Sequence, residues 1–384
     1  MQTLYVGMTM KQYVYADNAA TTKMDKIAYD AMTPYFLEEY GNASQPYAFS
    51  RTPKKALQEA REIIASCIGA FSDEIFFTSG GTESDNWAIK GVAMSDEGDH
   101  VIITSSFEHH AVLHSCAAME KLGHRIVYLK PERTGEISPD ALRREITEAT
   151  KLVSVMYANN EIGSIQPIKD LSDIAHEKGA LFHTDAVQAV GHVDIDVHSL
   201  GIDMLSASAH KFNGMKGCGF LYLRKGCGLL PYADGGAQES GSRAGTENIP
   251  GIVAMAVALK NNCDHLEENR KKIMDLEKEF LNLLTETNIP FVRNGGRHIL
   301  PGLLSLSFPG ADGEAILHRM DLLGICISTG SACNSQDIEI SHVLKAIELD
   351  EEYAKGTIRV SLGKYNTLED VERIVKGLKK ILME

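Results

Sequence analysis

Asp203-Met-Leu-Ser-Ala-Ser-Ala-His-Lys211 reads as a short apolar strand end that delivers a lysine among small residues. Glycines follow in Phe212-Asn-Gly-Met-Lys-Gly217, and Gly219-Phe-Leu-Tyr-Leu223 makes a second strand. α/β proteins bind ligands beyond the carboxyl ends of their strands, which is where this lysine falls. A desolvated lysine shifts its pKa readily, and its neutral amine attacks carbonyls. A surface lysine in a turn would carry the same local sequence, so the surrounding chain must decide between the two.

Upstream of Lys211, strands and helices alternate. Strands are predicted at Glu74–Thr78, His100–Thr104, Arg125–Leu129, Leu152–Tyr157 and Leu181–Thr184, with helices at 52–70, 83–94 and 111–122 between or before them. Ser138 followed by Pro139 signals another helix start. Strands that are apolar throughout and spaced by helices indicate a mainly parallel sheet covered on both faces. Near residue 250 the texture changes. One long helix is predicted from Ile252 to about Leu284. It is followed by a strand at Leu303–Phe308, a helix at Gly313–Leu322, a strand at Thr357–Leu362 and a last helix capped by Thr367 and Asp370. The expected architecture is therefore a large α/β domain over 17–262, with a smaller α+β domain from 1–16 and 263–384.

Bulk properties narrow the function classes. The net charge of -14 argues against a nucleic-acid or anionic-membrane surface. Seven cysteines in 384 residues, an odd number in a long chain, read as thiols in a reducing compartment rather than a disulfide framework. No Cys/His cluster has zinc spacing, so no metal site is expected. With no signal-peptide pattern and no apolar run of spanning length, a cytoplasmic location is expected.

Polar, reactive residues recur at the predicted strand ends. Thr78-Ser-Gly-Gly-Thr82 either cradles a phosphate at a helix N-terminus or simply closes a tight turn. Histidine follows the next strand in Glu108-His-His110, as a structural residue or as a ring stacked on a planar cofactor. Asn159-Asn-Glu161 follows a third strand, and Asp185 ends a fourth. A buried carboxylate there needs a cationic or hydrogen-bonding partner, which a protonated pyridine nitrogen would supply. Phosphate loop, stacking ring, aspartate and lysine on successive strand ends are the parts of a pyridoxal phosphate site.

Thr78-Ser-Gly-Gly-Thr-Glu-Ser-Asp-Asn86, Tyr157-Ala-Asn-Asn-Glu-Ile-Gly163, Asp185-Ala-Val-Gln188 and Ser206–Lys211 resemble the class V, fold-type I pyridoxal phosphate enzymes. Ser328-Thr-Gly-Ser-Ala-Cys333 and Ile358-Arg-Val-Ser-Leu-Gly363 narrow the resemblance to cysteine desulfurases of the NifS/IscS type. The resemblance runs nearly end to end, from Tyr15-Ala-Asp-Asn-Ala-Ala-Thr-Thr22 to the last helix. It implies a seven-stranded, mainly parallel sheet. It also implies that Lys211 carries pyridoxal 5'-phosphate covalently, with Gly81, Thr82, Ser208 and His210 on the phosphate. Thr246 would reach that phosphate from the second subunit of a homodimer. Asp185 would face the pyridine nitrogen, Gln188 the ring oxygen and His109 the ring face, while Asn160 and Arg359 would take the substrate carboxylate.

The implied reaction takes sulfur from L-cysteine, leaving alanine and a persulfide on Cys333, with Lys211 and His109 moving protons. A sulfur-acceptor protein would then receive the sulfur for iron–sulfur cluster assembly or for tRNA or cofactor thiolation. The small polar residues around Cys333 suit a mobile loop. Cys67, Cys116 and Cys326 read as core residues. Two departures from the family pattern stand out: the shifted proline in Gly41-Asn-Ala-Ser-Gln-Pro46, and Ser240 and Ser242 where arginines are common. A selenocysteine lyase or another class V enzyme is the same-fold alternative. A non-catalytic sulfur-relay scaffold is the alternative of another class.

Overall fold

The computed structural model describes residues 13–95, 98, 100–329 and 340–383. Its strands are β1 (Val14–Tyr15), β2 (Ile75–Thr78), β3 (Val101–Ser105), β4 (Arg125–Leu129), β5 (Thr150–Ser154) and β6 (Leu181–Asp185). They continue with β7 (Met204–Ser208), β8 (Gly219–Leu223), β9 (Val292–Arg293), β10 (Leu303–Ser307), β11 (Ile325–Cys326) and β12 (Thr357–Ser361). Seven form one sheet in the order β2-β8-β7-β6-β5-β3-β4. Only β8 runs against its neighbours, pairing antiparallel with both β2 and β7. The carboxyl ends of β2, β3, β5, β6 and β7 therefore share one edge of the sheet.

Burial explains the all-apolar strands. Every residue of β3 and β7 is buried, because helices cover both faces. One face packs Phe182, Phe220, Ile103, Val153 and Leu205 against Ile64, Ile252 and Leu259 of the helices Arg51–Cys67 and Ile249–Asp264. The other packs Ile102, Leu152, Met204 and Leu221 against Trp87, Ile89 and Val92 of the helix Gly81–Ala93. Trp87 is fully buried, and its Nε1 donates to the Leu230 carbonyl at 2.9 Å.

A second core lies around β12-β10-β9. There Phe280, Leu284, Leu304, Leu306, Ile358 and Val360 pack with Ile374 and Leu378 of the last helix, Leu368–Met383. Val14 and Ala16 join this core, with β1 pairing parallel to β11. Thr367 and Asp370 cap the last helix reciprocally: Asp370 N donates to Thr367 Oγ1 at 3.3 Å and Thr367 N to Asp370 Oδ2 at 3.0 Å. Val343, Leu344, Ile347 and Ala354, although late in the chain, pack into the core of the large sheet.

The long helix expected from Ile252 to Leu284 is two helices, Ile249–Asp264 and Leu266–Glu286. His265 separates them at φ -113° and ψ 20°, and its Nδ1 hydrogen-bonds the Asn261 carbonyl at 2.9 Å. The first helix buries most of its length, whereas the second is amphipathic with a charged outer face, so each obeys a different core. Cys67 and Cys326 are half-buried at element ends rather than in the core, while Cys116 is buried as expected. Among the described residues, no helix is long and apolar enough to cross a membrane.

Phe280 is fully buried in the second core. Phe280→Ala should cost about 3–5 kcal/mol and lower the urea midpoint. An unchanged midpoint would show that this core contributes little to the stability of the chain.

Candidate active site

Strand ends and the turns behind them build the site. After β2, Gly80 adopts φ 148°, a region that side chains disfavour, and the helix Gly81–Ala93 begins at once. A Cβ on Gly81 would stand 2.5 Å from Val187 Cγ2, so only glycine lets the helix N-terminus sit this close to the turn after β6. Gly81, Thr82, Ser208 and His210 line one open pocket together with Thr21 and Lys216. Backbone N–H groups at a helix start, the hydroxyls of Thr21, Thr82 and Ser208, and a lysine suit a phosphate dianion.

Lys211 follows β7 on a short 3-10 turn. Its Nζ donates to the carbonyls of Ala19 at 2.6 Å and Ala20 at 2.9 Å. Gln188 Nε2 also donates to Ala19 O, at 2.9 Å. His210 Nδ1 contacts Thr21 Oγ1 at 3.1 Å, so the 17–22 turn covers the lysine, the glutamine and the phosphate pocket together. Burial, with the charges of Lys211 and Lys216, pushes His210 down to about 4, so its ring is neutral at pH 7 until an anion joins it.

Asp185 closes β6 and is buried; its Oδ1 accepts from Val187 N at 2.9 Å. Burial raises its pKa, while His109 and Lys211 oppose that shift. His109 caps the helix His110–Lys121, with Nδ1 accepting from Ala111 N at 3.1 Å. One ligand atom each from His109, Asp185 and Asp85 lies within 4.8 Å of the others.

Beyond β5, Asn159 holds its loop through Oδ1, which accepts from Glu161 N at 2.8 Å and Ile162 N at 3.0 Å. That leaves Asn160 at the tip, and its carbonyl accepts from Arg359 Nη1 at 2.9 Å. Arg359 is 5% exposed and also pairs through Nη2 with Asp17 Oδ1 at 2.7 Å. Its Nε is buried without a partner. An orphaned donor on a buried guanidinium fits a substrate carboxylate. Ser328 brackets the same arginine, its N and O hydrogen-bonded to Arg359 O and N at 3.0 and 2.6 Å. Cys333 lies outside the described residues. Thr246 is exposed and does not line the phosphate pocket of its own chain.

The structure adds residues that the sequence did not single out. Asp85, on the helix after the phosphate turn, is fully buried behind Asp185, and its Oδ1 has no hydrogen-bond partner. Burial, then the Asp185 charge, drives its pKa well above the carboxylate range. His183 Nε2 stands 3.7 Å from Asp85 Oδ1, but burial takes that imidazole down to about 3, so it offers no charge. Glu108 is buried under Met156, whose N donates to both its oxygens at 3.0 Å, and Ser105 Oγ donates to it as well. Burial nonetheless pushes Glu108 up to about 8. Glu239 anchors the glycine-rich run: Arg61 grips it with two hydrogen bonds of 2.7 and 2.9 Å, and Phe77 N donates to it at 2.9 Å. Contacts between residues this far apart in the chain are invisible to local spacing.

Glu108 yields a pH prediction. A carboxyl whose folded pKa is raised binds its proton more tightly when folded, so stability is highest below the unfolded value and is lost as pH rises through the folded one. Thermal midpoints should therefore fall between about pH 4.5 and pH 8 through this group. Glu108→Gln should flatten that decline in a differential scanning titration. An unchanged slope would mean Glu108 stays ionised in the fold.

The cavity fits pyridoxal phosphate on its own observations: a cradle that a Cβ would fill, and a buried carboxylate awaiting a cation. Residues 14–374 match the family described as Aminotransferase class-V. A relative named cysteine desulfurase IscS from Methanosarcina thermophila is 47% identical over 378 residues, covering 98% of this chain and 93% of that one. Another of that name from Dictyoglomus turgidum is 48% identical over 376 residues, covering 97% and 95%. Among solved structures, a NifS-like protein superposes at TM-score 0.91 with 37% identity, covering 97% of this chain and 99% of that one. SspA in complex with cysteine superposes at TM-score 0.83, again at 37% identity, covering 92% and 99%. The chain belongs to the class-V aminotransferase family and, within it, to the pyridoxal phosphate-dependent cysteine desulfurases.

Proposed function

We propose that the protein removes sulfur from L-cysteine, releasing alanine and holding the sulfur as a persulfide on Cys333. The observation that carries this reading is the convergence of Lys211, His109 and buried Asp185 beside the phosphate cradle, with Arg359 nearby. When bound, pyridoxal phosphate supplies the electron sink for chemistry at the substrate Cα. Lys211 carries the cofactor and, once freed, its amine holds the proton taken from Cα. Asp185 would face the ring nitrogen, Gln188 the ring oxygen and His109 the ring face, where His109 would also give a proton to the departing product. Gly81, Thr82, Ser208 and His210 hold the phosphate, joined by Thr246 of a second subunit.

Arg359 would fix the substrate carboxylate with Asn160, leaving the substrate thiol free for Cys333. There the Cys333 thiolate attacks the substrate sulfur: a sulfur–sulfur bond forms, the carbon–sulfur bond breaks, and alanine leaves. A thiolate is the competent nucleophile, so Cys333 needs solvent and positive charge nearby. Homodimerisation is supported by the apolar side chains exposed at and just beyond the helix Pro34–Leu37, where Leu37 is 84% and Tyr40 68% exposed. The division into 17–262, against 1–16 with 263–384, is supported by the separate core around β12-β10-β9, although Val343, Leu344, Ile347 and Ala354 pack on the first core. The sulfur then passes to an acceptor protein in the cytoplasm. The name IscS among the relatives favours iron–sulfur cluster assembly or thiolation as its use.

Cys333→Ser should keep the cofactor absorbance yet lose roughly 100-fold or more in alanine formation from cysteine. Full turnover in that variant would refute the persulfide reading. Comparison with L-selenocysteine separates a lyase, which would turn over selenocysteine without Cys333. Arg359→Lys keeps the charge but loses the planar fork. It should raise KM for cysteine about tenfold with a smaller change in kcat.

A further inference from the structure

Three histidines outside the proposed mechanism gather beside it. His110 opens the helix His110–Lys121, and His114 follows one turn later on the same face. His342 opens the helix His342–Ala346, far along the chain. The His110 ring lies 5.1 Å from the His114 ring and 4.8 Å from the His342 ring, centroid to centroid. His342 Nε2 donates to the Glu108 carbonyl at 2.9 Å. That hydrogen bond fixes the tautomer and leaves Nδ1 as the unprotonated nitrogen, the arrangement that orients an imidazole toward a metal. His114 is exposed and the other two are half-buried, so an ion has a route in.

We propose that His110, His114 and His342 form a three-imidazole site for a divalent late transition metal of the zinc class, completed by water. Two histidines at i and i+4 on one helix face are a recurrent zinc-binding pair. Zinc–nitrogen bonds near 2.0–2.1 Å place three tetrahedrally arranged ring centroids about 5 Å apart. The 4.8 and 5.1 Å from His110 to its two partners match that spacing, and the His114 and His342 rings must close on each other to complete it. Among the described residues, the set of three whose ligand atoms already lie within 4.8 Å is Asp85, His109 and Asp185. The histidine trio therefore needs rotation about χ2, a broad torsion, which exposed His114 makes freely. Nitrogen-only ligation of borderline hardness selects zinc, nickel or copper over magnesium or calcium. A bound ion would tie the helix behind His109 to the segment at His342, stiffening one wall of the catalytic pocket.

The test uses holo-protein carrying Cys333→Ser, which removes the candidate soft ligand, titrated with zinc ion alone by calorimetry. One ion per chain is expected, with affinity falling at least tenfold on adding His114→Ala or His342→Gln. Cobalt in place of zinc should give a visible spectrum free of thiolate charge-transfer bands. No zinc uptake, or uptake unchanged by both His110→Ala and His114→Ala, overturns the site. Thermal midpoints measured without metal confirm that the variants are folded. Because the readout is metal binding, it stands apart from any failure of cysteine turnover.

Discussion

A carboxylate buried at the end of β6 sets the terms for everything around it. Asp185 is buried, and among the described residues the groups acting on its charge include His109, the Val187 N–H, Lys211 and the second buried acid Asp85. Leaving such a charge unpaired costs several kcal/mol, so the site is stable as an anion only with a cation in front of it. A protonated ring nitrogen would be that cation. The helix start after β2 supplies the matching field for a phosphate, at the other end of the same small molecule. The two demands lie on the same edge of the sheet because β2 and β6, separated by β8 and β7, run in the same direction.

Arg359 plays the corresponding part for the substrate. It sits on β12 of the second core, reaches Asp17 in the first turn of the described chain and the Asn160 carbonyl above β5. One guanidinium thereby joins three distant segments and leaves a donor over. The same strand pairs with Ser328 through two backbone hydrogen bonds.

Much of this was legible in order along the chain. Apolar strands and a helix period marked the sheet, and glycines at Gly80 and Gly81 marked the phosphate turn because only glycine survives there. The helix break at His265 escaped, since the apolar period continues through it while the core that it faces changes. Asp85 escaped as well. A polar residue on an amphipathic helix reads as solvent-facing until the strands behind it show that it is buried. Cys67 read as core but lies half-buried at a helix end. The histidine trio had only its i, i+4 half in local sequence, with the third ring arriving on another helix.

The sequence by itself determined which side chains the site owns: a lysine, an aspartate and a histidine following apolar runs, and an arginine inside one. Their chemical identity follows from residue type and from the alternation that places strand ends together. Only the tertiary structure decided their charge and their company. Burial raises Asp85 and Glu108, lowers His183 and His210, and leaves one nitrogen of Arg359 unsatisfied, because desolvation depends on what packs across the sheet and not on neighbours in the chain.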